Sequence, residues 1–329
     1  MNADFHIAAV VSLLALVVIP GAMALQDASG PPQIRIESAL VTVPVIVHDL
    51  QGRFLHGLRA DEFELYQDGT PEKISFFLTS EDPIKIALLL DTSRSTMTVL
   101  DKIKKAAGRF LEQMRPQDLA TVVSFDSEIQ MLCPLSSDIR ELDHAIKEAK
   151  AGGMGTRLRD SILEIAEGKF RSISGRKAMV LLTDGEDHGS VVSAPDLLDR
   201  VASSSTLIYP VFYHVDPRQL MKELIGPSAR LPRIRPKDGS LDGWQQREEE
   251  AAAFLKKVSE LSAGRFYRSD VTELDSAFKQ ISDELRSQYL IGFYPGQFQL
   301  DGRPHALEVR VKTPNTVVRG RRSYRAVRN

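Results

Sequence analysis

The sequence predicts an α/β fold: a doubly wound, mostly parallel sheet with helices on both faces, inserted in a small β-sandwich-like domain formed by the flanking N- and C-terminal strands. Three observations predict it. Residues 84–90 (IKIALLL) and 178–182 (AMVLL) are unbroken apolar runs, the pattern of strands covered on both faces. Between residues 83 and 288 such runs alternate with stretches of helical periodicity. Outside that block the pattern is β alone, in short runs separated by turn residues.

The first segment stands apart from the fold. Residues 7–24 (IAAVVSLLALVVIPGAMA) carry no charge, are broken by Pro20-Gly21 and close on Ala22-Met23-Ala24, which is an A-x-A cleavage signature. Residues 1–24 are therefore expected to be a signal peptide, and the mature protein to be secreted or periplasmic. The leading residues lack Lys and Arg and include Asp4, and the run is long enough to cross a bilayer. Membrane anchoring is thus the alternative, and membrane contact is expected only if the segment stays uncleaved.

Residues 33–82 read as the β-rich half of a sandwich. Ile34, Ile36, Val41, Val43, Val45 and Val47 supply the strands, and Asp49-Leu50-Gln51-Gly52 and Gln67-Asp68-Gly69-Thr70 the turns. Pro44 inside one run suggests an edge or a bulge. Forty-odd residues of strand are too few to stand alone. From residue 83 the alternation begins. Strand 84–90 is followed by a helix over 99–114 through Ile103, Ala106, Phe110 and Met114, then by strands 119–125 and 128–135 across Asp126-Ser127. Helices at 138–150 and 159–173, a strand at 178–182, a helix at 195–203 and a strand at 206–214 follow. Helix 247–262, a short strand at 265–267 and helix 273–288 close the block. Residues 289–329 return to β, with strands at 290–294, 306–312 and 316–326, completing the sandwich begun by 33–82. Residues 216–246, rich in Pro, Gly and Arg, fit neither pattern and are too long for a simple connection.

Composition narrows the function classes. At 329 residues the chain has room for two or three domains, and 43% hydrophobic with 26% charged residues is ordinary globular usage. A formal net charge of -2 excludes nucleic acid as the main partner, since phosphate binding needs a basic excess. The single cysteine, Cys133, permits no internal disulfide or cysteine metal cluster and reads as a small apolar strand residue.

Three short sequences fall just beyond the carboxyl ends of predicted strands or in a loop at that edge, where doubly wound sheets bind ligands. They are Asp91-Thr92-Ser93-Arg94-Ser95, Gly152-Gly153-Met154-Gly155-Thr156 and Thr183-Asp184-Gly185-Glu186-Asp187. Each alone is an ordinary turn or cap. Together they offer carboxylate and hydroxyl oxygens only, which suit one hard cation: Mg²⁺, Ca²⁺ or Mn²⁺. Strand alternation places Asp91, Ser93 and Ser95 on one side and Thr92 and Arg94 on the other. Neutral hydroxyl ligands quench little of the ion's charge, so an open coordination position would attract an outside carboxylate. His188 reads as a solvent-facing loop histidine, and Arg319, Arg321, Arg322, Arg325 and Arg328 as the solvated face of a strand.

On these motifs residues 84–288 resemble a von Willebrand factor type A domain, and the three loops are similar to its metal-ion-dependent adhesion site. The resemblance implies that Ser93, Ser95 and Thr156 coordinate the metal directly, that Asp91 and Asp184 act mainly through water or alternate with a hydroxyl, and that a Glu or Asp of a protein partner completes the shell. The flanks, VTVPVIVHDLQGRFLHGLRADEFELYQDG and LRSQYLIGFYP with ALEVRVK, resemble the ends of VWFA-related proteins of Acidobacteria. The expected domains are 33–82 and 289–329 for the sandwich and 83–288 for the type A domain.

The expected function is a metal-dependent, adhesion-type protein-binding module rather than an enzyme. Arg94 on the rim, Arg233 and Arg235 in the atypical segment and Trp244 are the candidate partner-binding residues, by charge steering or as an aromatic anchor. A metal-dependent hydrolase or phosphatase is one alternative. It is weakened because Ser93 stands where a D-x-D-x-T phosphatase keeps its second acid, and because no P-loop, H-E-x-x-H or G-x-S-x-G motif is present. A structural envelope protein with a loop-rigidifying metal is the other.

Overall fold

The structure, a computed structural model, describes residues 40–214, 241–295 and 302–325. The expected signal peptide, Arg233 and Arg235 lie outside the described residues. Within them, no helix is long and apolar enough to cross a membrane.

The chain from Ser38 onward forms one compact unit with three sheets. The central one has six strands: β5 (Ile84–Asp91), β6 (Leu119–Phe125), β7 (Ile129–Ser136), β8 (Arg176–Thr183), β9 (Leu207–Tyr213) and β10 (Tyr267–Ser269), in the spatial order β10-β9-β8-β5-β6-β7. All pairings are parallel except β6 with the edge strand β7. Every residue of β8 and β9 is buried, as their apolar runs require.

Alternation along β5 sorts the two faces. Ile84, Ile86, Leu88 and Leu90 pack with α1 (Leu100–Glu112), α2 (Ile139–Glu148) and the last helix, α6 (Leu274–Leu285). Ala87 and Leu89 face α3 (Leu158–Leu163), α4 (Ala194–Ser203) and α5 (Leu241–Leu261). Caps set several helix starts: the Asp138 carboxylate accepts the Arg140 N–H, and the Ser193 hydroxyl accepts the Asp196 N–H. Two helices depart from expectation. The one expected over 159–173 runs as α3 and then widens to π-helical turns over Glu164–Lys169. The one expected from 247 begins at Leu241, inside the segment that composition alone marks as irregular.

The flanks build two four-stranded sheets. In the first, β1 (Val41–Asp49) lies between β13 (Thr316–Gly320) and β11 (Gln288–Phe293), with β4 (Ile74–Leu78) beyond. The second has the order β14-β12-β2-β3, from β2 (Phe63–Gln67), β3 (Thr70–Glu72), β12 (Pro304–Val311) and β14 (Ser323–Arg325). Val43, Val45, Phe63, Leu65, Tyr289, Ile291 and Tyr324 form one core between them. The single strand expected over 316–326 is thus two strands in different sheets. The chain changes sheets at Gly320-Arg321, and Arg321 turns inward, only 5% exposed. Pro44 is on an interior strand, but β13 pairs only with residues from Val45 onward, so its missing N–H falls at the margin of that ladder.

Of the C-terminal arginines, Arg322 is exposed as expected and Arg328 lies outside the described residues, but Arg319, Arg321 and Arg325 turn to partners in the α/β layer. Arg319 pairs with fully buried Glu284 at the end of α6, and Arg265 reaches the same carboxylate at 3.2 Å. Arg321 donates to the Ser203 carbonyl at 2.6 Å and Arg325 to Asp199 at 2.6 Å. Period-two alternation identifies a face but not what covers it; here the α/β layer covers part of it.

Candidate metal centre

In the strand order, the chain leaves β5 for β6 on one side and later returns to β8 on the other. The crevice at this switch point opens beyond the carboxyl ends of β5 and β8. Asp91 is the last residue of β5, and Asp184 follows the last residue of β8.

One hydrogen-bond chain joins the two strand ends. The Thr183 hydroxyl donates to Asp91 Oδ2 at 2.7 Å, and the Ser93 hydroxyl to Asp91 Oδ1 at 2.5 Å. The Ser93 and Ser95 hydroxyl oxygens lie 3.0 Å apart, and the Ser95 side chain is near enough to Asp184 to favour its ionised form. Asp184 Oδ1 in turn accepts the Glu186 N–H at 3.1 Å. Asp91, Ser93, Ser95 and Asp184 are therefore together, although not for the reason alternation gives. β5 stops at Asp91, and a 3₁₀ turn over Arg94–Thr96 returns Ser95 to the site. The Thr96 hydroxyl holds that turn through the carbonyls of Asp91 and Ser93.

The glycine-rich loop crosses the same edge. Ser93 and Gly153 form a parallel bridge, and the Gly152 N–H donates to the Thr92 carbonyl at 3.1 Å. The carbonyl of buried Thr156 accepts both the His188 and Gly189 N–H groups at 3.0 Å, tying it to the loop that follows Asp184. A Cβ on Gly153 would land on the Asp126 side chain, so only glycine fits there. Asp126 is a positioning residue that sequence reading treated as a turn: its carboxylate accepts the Thr92 hydroxyl at 3.1 Å and its carbonyl the Arg157 N–H at 2.8 Å. Thr183 was likewise quoted only as part of a motif. Its role follows from the register, which pairs Leu90 with Leu182 and so sets Thr183 beside Asp91.

Burial, and then the charge of Asp184, push the Asp91 carboxyl well above its ordinary range. Burial also raises Asp184, partly opposed by the Ser95 side chain. Among the described residues no Lys or Arg forms an ion pair with either carboxylate, although the pair is desolvated and mutually repulsive. A cation is the natural complement of such a pair. No group of three or more His, Cys, Asp or Glu side chains among the described residues is placed to hold a metal. The donor set is instead two carboxylates with hydroxyls, which fits a hard ion.

The other candidates lie on or beyond the rim. Arg94 is exposed and its guanidinium lies 3.9 Å from the sulfur of exposed Met154. His188 is exposed and 3.4 Å from Glu186. Trp244 is in the first turns of α5, with its side chain outside the described residues.

Residues 86–186 match the family model of the von Willebrand factor type A domain. Similar solved structures include BatB from Bacteroides thetaiotaomicron, with 18% identity, 62% of this chain and 97% of that chain covered, and a TM-score of 0.45. A von Willebrand factor type A protein from Catenulispora acidiphila has 13% identity, 82% and 75% coverage and a TM-score of 0.47. Proximal thread matrix protein 1 from the mussel byssus, with a zinc-occupied MIDAS motif, has 14% identity, 65% and 48% coverage and a TM-score of 0.46. No curated protein matches the chain.

Proposed function

We propose that the von Willebrand factor type A domain matched over residues 86–186 is a divalent-metal-dependent binding module, which captures an acidic group of a partner protein outside the cytoplasm. The carrying observation is the Asp91–Asp184 pair: a fully buried and a half-buried carboxylate brought together with the Ser93 and Ser95 hydroxyls at the switch point of the sheet, with no basic side chain of the described residues paired to them. One Mg²⁺, or Ca²⁺ or Mn²⁺ in its place, would be held by Ser93, Ser95 and Thr156 with Asp91 and Asp184 beside them. The ion would supply a Lewis-acidic position for a Glu or Asp side chain.

The choice of binder over catalyst follows from the donor set. Hydroxyl ligands leave most of the ion's charge unquenched, which favours an incoming carboxylate, and the Asp91 oxygens are engaged by Thr183 and Ser93 rather than free to attack. Arg94, exposed beside the glycine-rich loop, is placed to steer an acidic partner. Location outside the cytoplasm rests on the apolar segment at residues 7–24.

The test is isothermal titration of the purified protein with Mg²⁺, Mn²⁺ and Ca²⁺, followed by partner capture from envelope extract with 5–10 mM Mg²⁺ (roughly a hundredfold over an assumed weak Kd) or with EDTA. Stoichiometric uptake of one ion and Mg²⁺-dependent capture are expected. Absence of any uptake, or capture unchanged in EDTA, overturns the reading.

A further inference from the structure

β9 carries a tyrosine whose placement the fold alone does not explain. The β8–β9 register pairs Thr183 with Phe212. The next residue on each strand is Asp184 on one and Tyr213 on the other, so Tyr213 ends its strand beside the candidate metal centre. Its side chain is fully buried, and its hydroxyl meets no hydrogen-bond partner among the described residues. An unpartnered buried hydroxyl is destabilising, and phenylalanine would fill the same space without that penalty.

The surroundings indicate what the hydroxyl serves. A tyrosine hydroxyl is an O–H donor throughout the physiological pH range, and the charges that act on this one are those of Asp91 and Asp184. A permanent donor next to two carboxylates and a set of hydroxyl oxygens is suited to an oxygen ligand of a cation, because such ligands are oriented by hydrogen bonds from outside the coordination shell. Tyr209, two pleats earlier on the same face, is also buried with an unpartnered hydroxyl, but its neighbouring charges are Glu284 and Arg319 rather than the carboxylates of the candidate centre.

We infer that Tyr213 is a positioning residue of the metal centre, whose hydroxyl donates from the β9 side to the oxygen shell of the cation held by the Asp91 and Asp184 loops. This rests on the metal-binding reading above. It adds a fourth chain segment, the end of β9, to the three loops.

The test compares Tyr213→Phe with Tyr209→Phe in the full chain, using Mn²⁺ titration by calorimetry, the electron paramagnetic resonance spectrum of bound Mn²⁺, and melting in EDTA. For Tyr213→Phe, Mn²⁺ affinity should fall about tenfold, at the lower end for removal of a group that orients a metal ligand. The Mn²⁺ spectrum should change, and metal-free melting should be equal to or above that of the wild type. Tyr209→Phe should leave the affinity and the spectrum unmoved. Wild-type affinity in Tyr213→Phe overturns the inference, as does an equal loss in Tyr209→Phe, or a marked fall in metal-free melting that reveals a purely structural hydroxyl. If wild-type protein takes up no Mn²⁺, the metal-binding reading itself fails; if it does and Tyr213→Phe matches it, only the role of Tyr213 fails.

Discussion

Replacing Asp184 with Asn should make the protein more stable without metal and should remove the stabilisation that metal gives. The Asp184 carboxyl is pushed up to about 6 from an ordinary 3.8, chiefly by burial. At neutral pH the ionised form therefore carries a native-state penalty of roughly 3 kcal/mol. Asn removes the charge and keeps the oxygen that accepts the Glu186 N–H, so up to about 3 kcal/mol is regained, less the desolvation of the amide. At roughly 2 °C per kcal/mol for a unit of this size, melting in EDTA at pH 7.5 should rise by up to about 6 °C.

The wild type should instead gain about 2.7 kcal/mol, or ~5 °C, at a free Mg²⁺ concentration a hundred times Kd, and the variant should not. The gap between the two proteins should therefore shrink from up to about 6 °C in EDTA to about 1 °C in Mg²⁺. The pH dependence has a definite sign. Because both folded carboxyls bind protons more tightly than the unfolded ones, metal-free wild type should lose stability as pH rises from about 4, with Asp184 contributing up to about 6 and Asp91 continuing above it. The variant should lack the part of that slope due to Asp184. Differential scanning fluorimetry over pH 4–8 (roughly two units to either side of the shifted value), with and without Mg²⁺, reads all of this. A variant that melts below wild type in EDTA, or that keeps the full Mg²⁺ shift, refutes the argument that the pair is an uncompensated charge awaiting a cation.

Thr156→Ala should weaken Mg²⁺ binding roughly tenfold or more by titration calorimetry, whereas Arg94→Ala should leave it unchanged and slow only the association of an acidic partner; equal effects would mean Thr156 is not a ligand. Gly153→Ala should push the glycine-rich loop off Asp126 and destabilise the protein by about 1–3 kcal/mol in urea, with loss of metal affinity. Wild-type values for that variant would show that the close approach is slack. Glu284→Ala leaves Arg319 and Arg265 facing a buried site without their carboxylate, and should cost roughly 3–5 kcal/mol by denaturant midpoint. A loss under about 1 kcal/mol would mean that the pair contributes little to joining α6 and β13.

The sequence by itself determined the layer architecture, because burial on both faces leaves a direct record: IKIALLL and AMVLL cannot be anything but covered, and they coincide with β5 and β8. It also determined which local peptides sit at the ligand-binding edge, since Asp91 and Asp184 follow those strands immediately. The joint core of the sandwich could be suggested by pattern, but the sheet change at Gly320-Arg321 could not, because period-two alternation is the same whichever sheet a strand joins. Only the tertiary structure decided the rest of the centre. Ser95 arrives by a 3₁₀ turn rather than by alternation, Asp126 supports a glycine from another strand end, and Tyr213 reaches the carboxylates only through the register of β9 on β8. The C-terminal arginines make the same point: as a run they look solvated, and burial of Glu284 between α6 and β13 makes one of them an interior ion pair. Local chemistry is written in neighbouring residues, whereas the partner of a charge or hydroxyl is set by contacts across dozens to hundreds of residues, to which no short-range pattern responds.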